Sequence, residues 1–167
     1  MQIRIERAGD VEAVRKVNAA AFGREAEGEL VDALRRSGSL ALSMVAEEGG
    51  RIVGHIAFSP GRVVGDDFEY EAMALGPVAV LPDWQKQGVG SQLVRAGLEA
   101  LRERGARPVF LLGHVTYYPR FGFEPAQEHG VCCEFDVAPE YFMVWAPLEE
   151  PPGRRGTFYF RPEFRDV

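Results

Sequence analysis

The chain has 167 residues, 46% of them hydrophobic, and a formal net charge of −6, with a pI of about 5.2. That length and apolar content suit one domain with a buried core. The acidic balance argues against a nucleic-acid-binding surface, which needs a basic excess, although Arg102 to Arg107 is a small local exception.

Gln2 to Arg7 alternates polar and apolar residues and predicts a strand. Asp10 stands as an N-cap before a helix that carries Val11, Val14, Val17 and Ala21 on one face. A second helix is predicted over Glu25 to Arg36, with Gly38 ending it. Leu40 to Glu47 and Arg51 to Phe58 read as strands joined in a hairpin by Glu48-Gly49-Gly50. Ser59 to Asp67 is turn-rich. Phe68 to Val80 reads as a long strand interrupted at Gly76-Pro77, where Pro77 cannot donate to a ladder and a bulge or local separation is expected.

A helix follows, with Leu93, Gly97 and Ala100 on one side and Val94, Leu98 and Leu101 beside them. Gly97 costs about 1 kcal/mol against alanine there, which points to close packing on a sheet. Pro108 to Leu112 reads as a buried strand, and Tyr117 to Phe121 as a short helix stopped by Gly122. Val131 to Phe135 and Tyr141 to Trp145 read as a final strand pair, and Pro147 to Gly153 as a loop. The aromatic tail, Thr157 to Phe164, is expected to cover either its own body or a partner subunit in a homodimer. The resulting order, β-α-α-β-β-β-α-β-α-β-β, is an α/β arrangement: a mixed sheet with helices on both faces. It is read as a single domain, 1–167, with a core at about 2–146 and a tail at 147–167.

No apolar run reaches the ~20 residues of a membrane span, and MQIRIERAGD lacks the apolar core of a signal peptide. Cys132 and Cys133 are adjacent, a spacing that strains a mutual disulfide and is not that of a structural zinc site. Free thiols without a catalytic part, no metal, and a cytoplasmic location away from membranes are the expectations.

The segment after the long strand carries chemistry. Gly88 and Gly90 sit where a helix should start. The first amides of a helix have no intrahelical partner and, with the macrodipole, favour an anion. Glycine at alternate positions clears a path to them, and Gln85, Lys86, Gln87 and Ser91 add donors and a positive charge. The alternative is that the two glycines only shape a tight turn. A dinucleotide fingerprint would need glycine at Leu93, and a Walker loop would need Gly-Lys-Ser/Thr; neither is present.

Gln85-x-x-Gly88-x-Gly90 resembles the Gln/Arg-x-x-Gly-x-Gly/Ala signature of the GNAT superfamily of acyl-CoA-dependent N-acyltransferases. Ala79-Val80-Leu81-Pro82 ahead of it and Tyr118-Pro119-Arg120-Phe121-Gly122-Phe123 after it fit the same family, in the same order. The stretch is similar to a bacterial subgroup of small N-acetyltransferases. The resemblance implies a mostly antiparallel sheet splayed at the cofactor site. It implies that Gln85, Lys86, Gln87, Gly88, Val89, Gly90 and Ser91 surround the pyrophosphate of coenzyme A. It also implies that Val78, Ala79 and Val80 pair with the pantetheine arm, with an acetyl carbonyl meeting an amide near Val80, and that Tyr118 protonates the departing thiolate.

Some residues depart from that pattern or stay open. Gly113-His114 replaces a family asparagine, and His114 either touches a ligand or faces solvent. Tyr117 competes with Tyr118 for the sulfur, and spacing favours Tyr118. The general base is Glu69, Glu71, His55 or water; by default Glu69 and Glu71 are exposed and His55 is a satisfied core histidine. Glu25, Glu27 and Glu29 either help attract a cationic amine or, by default, form a solvated acidic helix face. The expected function is acetyl transfer from acetyl-CoA to a primary amine of a small molecule or peptide by direct attack. The rival is a non-catalytic domain that binds and senses acyl-CoA.

Overall fold

Backbone pairing begins at β1 (Gln2–Ile5), which runs antiparallel to β2 (Leu42–Glu48) with Gln2 opposite Glu47. β2 pairs antiparallel with β3 (Arg51–Gly65), from Leu42 opposite Phe58 to Glu48 opposite Arg51. The computed structural model describes residues 1–106, 108–146 and 155–167. Their contacts form two compact units: Met1–Ser59, Leu75–Ala100 and Pro162–Val167 in the first, and Pro60–Ala74 with Leu101–Arg161 in the second. β3, β4 (Glu69–Val80) and α3 (Val89–Glu103) each contribute residues to both.

In the first unit, α1 (Val11–Phe22) and α2 (Ala26–Arg36) bury Val14, Val17 and Val31 in a cluster with Val45, Ile52, Ala57 and Ala79. Alternation along a strand sends neighbouring side chains to opposite faces. Val45 is paired with His55 and Ser43 with Ala57, so these four share a face, and His55 reaches Asn18 of α1 there. Gly54, Ile56 and Phe58 take the other face and meet α3. Helices therefore cover both faces, as the sequence predicts. The tail residues Pro162–Asp166 form a 3₁₀ turn that contacts α2 within the same unit.

In the second unit, the start of β4 pairs parallel with β5 (Val109–Leu112) through Met73 and Ala74. β5 pairs antiparallel with β8 (Phe142–Trp145), and β8 with β6 (Glu124–Pro125). The end of β3 pairs antiparallel with β9 (Gly156–Tyr159), which lies parallel to β7 (Val131–Cys133). Phe110 stacks on Phe158 at 4.5 Å and on Phe142 at 5.4 Å between ring centroids, and all three are buried.

Four expectations are corrected. Ser59 to Asp67 is not a turn region, because β3 continues to Gly65; pairing with the distant β9 overrides its local turn composition. β7 and β8 are not partners, because β8 already has β5 on one side and β6 on the other, and β7 pairs with β9 instead. Asp10 precedes α1 but makes no side-chain cap on it. Its carboxylate accepts both arms of the Arg4 guanidinium, at 2.7 and 3.1 Å, because a largely buried arginine requires a counter-charge. Glu27 is not solvated: it is buried and accepts from Arg24 Nε at 2.9 Å. The Pro147 to Gly153 loop and Arg107 lie outside the described residues. Among the described residues no helix is long and apolar enough to cross a membrane.

Candidate active site

The strand-to-helix junction after β4 belongs wholly to the first unit. Ala79 is buried in the core, with Val78 and Val80 half-buried on either side. The Leu81 amide donates to the Val53 carbonyl at 2.9 Å and pins the strand end to β3. Pro82–Trp84 form a 3₁₀ turn. The Gln85 side-chain amide donates to the Val80 carbonyl and that of Gln87 to the Asp83 carbonyl, each at 3.0 Å. The backbone amide of Gln85 is taken by Pro82 at 3.3 Å. Gln85 thus shapes the turn from inside.

The two glycines have different reasons. Gly88 has φ +85°, with nothing within 4 Å of where its Cβ would be, so the turn itself calls for glycine. Gly90 lies inside the first turn of α3, where glycine is about 1 kcal/mol worse than alanine. The first rung of that helix runs from the Gln92 amide to the Gly88 carbonyl at 3.0 Å. The amides of Gly88, Val89 and Gly90 therefore open the helix with no acceptor four residues back. Lys86 is exposed beside them at φ +62°. The helix start is held firmly: a Cβ on Gly54 of β3 would stand 3.0 Å from Val89 Cγ1 and 2.9 Å from Leu93 Cδ1. The junction places the opening amides of α3, the positive end of its macrodipole and the Lys86 cation side by side, features that favour an anion.

In the second unit, Tyr118 opens a 3₁₀ turn, Tyr118–Phe121, closed by left-handed Gly122 at φ +97°. The amides of Tyr117 and Tyr118 both donate to the His114 carbonyl, at 3.2 and 3.4 Å. The Tyr118 ring meets Tyr117 and Phe123 edge-on, at 5.0 and 5.7 Å between centroids. Burial, with Tyr117 adding to it, pushes its phenol up to about 12.

The Acetyltransferase (GNAT) domain family model matches residues 2–126. This chain belongs to that family. It is 40% identical over 139 residues to the uncharacterized N-acetyltransferase YjhQ of Escherichia coli K12, covering 81% of this chain and 77% of YjhQ. The crystal structure of the GNAT family N-acetyltransferase YhbS from Escherichia coli, in complex with CoA, superposes with a TM-score of 0.89 at 32% identity, over 98% of this chain and 91% of that one. A GNAT family acetyltransferase from Brucella melitensis, in complex with acetyl-CoA, gives 0.79 at 42% identity, over 98% and 97%. The mixed sheet with helices on both faces is the GNAT fold.

Several candidates in this GNAT chain can now be placed. His55 is fully buried. Asn18 Nδ2 donates to its Nδ1 at 3.1 Å, which leaves the ring proton on Nε2, facing Ser43 Oγ at 2.8 Å. Burial, with the charge of Arg35 behind it, depresses the imidazole to about 3. It is the satisfied core histidine of the default reading. Glu69 is exposed and paired with Arg62 at 3.1 Å, and Glu71 is exposed. His114 is exposed, and only its backbone carbonyl holds the tyrosine turn. The Arg102 guanidinium lies 5.3 Å over the Trp145 ring. Cys132 and Cys133 are free thiols, and burial pushes the Cys133 thiol up. Sequence reasoning missed Gly54, whose place under α3 has no local signal in a strand of ordinary composition.

Proposed function

We propose that this chain transfers the acetyl group of acetyl-CoA to a primary amine of a small molecule or peptide. The observation that carries this reading is Gly90, a helical glycine with no positive φ to require it, among the amides that open α3. Gly88, Val89, Gly90 and Ser91 would hold the pyrophosphate with Lys86, while Gln85 and Gln87 keep the turn in shape. Val78, Ala79 and Val80 would accompany the pantetheine arm. Acetyl-CoA supplies a thioester carbonyl that a neutral amine attacks directly. As the C–N bond forms and the C–S bond breaks, the Tyr118 phenol gives its proton to the thiolate, and the nitrogen loses one to water, which restores the proton of the tyrosinate. The Tyr118 phenol, pushed up to about 12, carries its proton at neutral pH, as the acid role requires. With His55 buried, neutral and engaged at both ring nitrogens, water is the base this reading uses.

Thiol release from acetyl-CoA across a panel of primary amines tests the proposal. Amine-dependent release supports it. Acetyl-CoA binding with no release for any amine would favour the acyl-CoA-sensing alternative.

A further inference from the structure

Gly113 follows β5 directly, and its amide donates to the Tyr141 carbonyl at 2.9 Å. Its φ lies outside the left-handed region, so backbone conformation does not call for glycine there. The space does. A Cβ at 113 would stand 2.7 Å from Tyr118 Cδ2, closer still to Cε2, and 3.1 Å from Leu111 Cδ1. Carbon atoms do not approach so closely without displacement. The ring edge of Tyr118 therefore lies against the bare backbone of Gly113, and the ring also meets Tyr117, Phe121 and Phe123.

We infer that Gly113 is a positioning residue for Tyr118: its missing side chain is the seat that sets where the phenol hydroxyl stands. The inference rests on the acid role proposed above. Rotation in place does not relieve the contact, because three further aromatic rings, Tyr117, Phe121 and Phe123, lie at 5.0, 6.3 and 5.7 Å between centroids. It yields by moving outward, which carries the hydroxyl with it and brings the phenol nearer to water. A misplaced acid slows the chemical step and leaves cofactor binding untouched, because the Lys86–Ser91 turn belongs to other elements.

The experiment compares Gly113→Ala, Tyr118→Phe and the double variant. Tyr118 is titrated through ¹³C-labelled tyrosine Cζ, its signal assigned by its loss in Tyr118→Phe. Gly113→Ala should lower the Tyr118 midpoint from about 12 toward the ordinary ~10. It should cut kcat by roughly 10-fold, with KM for acetyl-CoA unchanged, a modest fraction of what a general acid supplies. In the Tyr118→Phe background, Gly113→Ala should cost no further kcat, because no acid remains to misplace.

An unshifted titration with normal kcat overturns the seat. An equal loss of kcat in both backgrounds overturns its action through the phenol. Should Gly113→Ala fold poorly, Tyr118→Ala removes the ring, and its background must erase the Tm loss; a Tm loss that persists there overturns the clash. The acid role fails separately, by a near-normal kcat in Tyr118→Phe, and a shifted titration then still supports the seat.

Discussion

Gly97 of α3 faces Phe58 of β3 so closely that a Cβ at 97 would stand 2.6 Å from Phe58 Cζ. With Gly54 admitting Val89 and Leu93 one end further along, two missing side chains set the distance between α3 and β3. Helix propensity alone favours Gly97→Ala by about 1 kcal/mol. Overpacking reverses the sign, and a net loss of about 1–3 kcal/mol is expected in denaturant unfolding. Phe58→Leu should recover part of it. A stabilised Gly97→Ala would mean that α3 has room to spare.

Gly54→Ala acts at the other end of the same contact. It should push Val89 outward and so move the amides that open α3. CoA affinity should fall by more than the accompanying loss of stability explains. Calorimetric titration beside thermal melting would show the difference; a variant that loses Tm but binds CoA normally would separate the contact from the cradle.

His55 gives the fold a pH dependence of known sign. Its folded pKa, about 3, lies below the ordinary ~6.5. The unfolded chain therefore binds a proton below pH ~6.5 that the folded chain refuses down to about 3. Stability present above pH ~6.5 is lost as pH falls, at up to about 1.4 kcal/mol per pH unit. Urea midpoints from pH 7 to 5 should decline, and the part due to His55 should vanish in His55→Asn. An unchanged slope in that variant would place the effect elsewhere.

Tyr118→Phe keeps the ring and removes the acid proton. It should lower kcat by ~10²-fold with CoA affinity intact, while Tyr117→Phe stays mild. Because the phenol is pushed up to about 12, its own ionisation should cause no fall in rate up to pH 10. A phenylalanine variant as fast as the parent would mean that the thiolate takes its proton from water.

The raised Cys133 thiol holds little thiolate at neutral pH, and a thiol is a poor nucleophile in that form. Changing Cys132 and Cys133 together to serine should leave acetyl transfer within a few-fold. A loss of orders of magnitude would point to a covalent acetyl-enzyme.

The strand-to-helix junction was legible because Gly88 and Gly90 defy local propensity, and a violation of propensity is visible in one dimension. The close packing of Gly97 was legible for the same reason. β9 was not: its partners, Arg62 to Gly65, stand nearly a hundred residues away, and their own composition reads as turn. Glu27 and Asp10 were misread although their partners, Arg24 and Arg4, are close in sequence; the burial of Glu27 and of Arg4, which makes those pairs necessary, has no local signal. Gly113 looked like a lost asparagine, and its use emerges only when the Tyr118 ring is in place.

The central claim is that the turn from Lys86 to Ser91 holds the phosphates of coenzyme A, and calorimetric titration of Gly90→Val tests it most directly. The valine should weaken CoA binding by at least tenfold while melting stays near the parent's, because the side chain occupies the approach to the helix amides. Pantetheine, which carries no pyrophosphate, should bind parent and variant alike, and Lys86→Ala should lose less than Gly90→Val. A Gly90→Val protein that binds CoA as tightly as the parent would contradict the account.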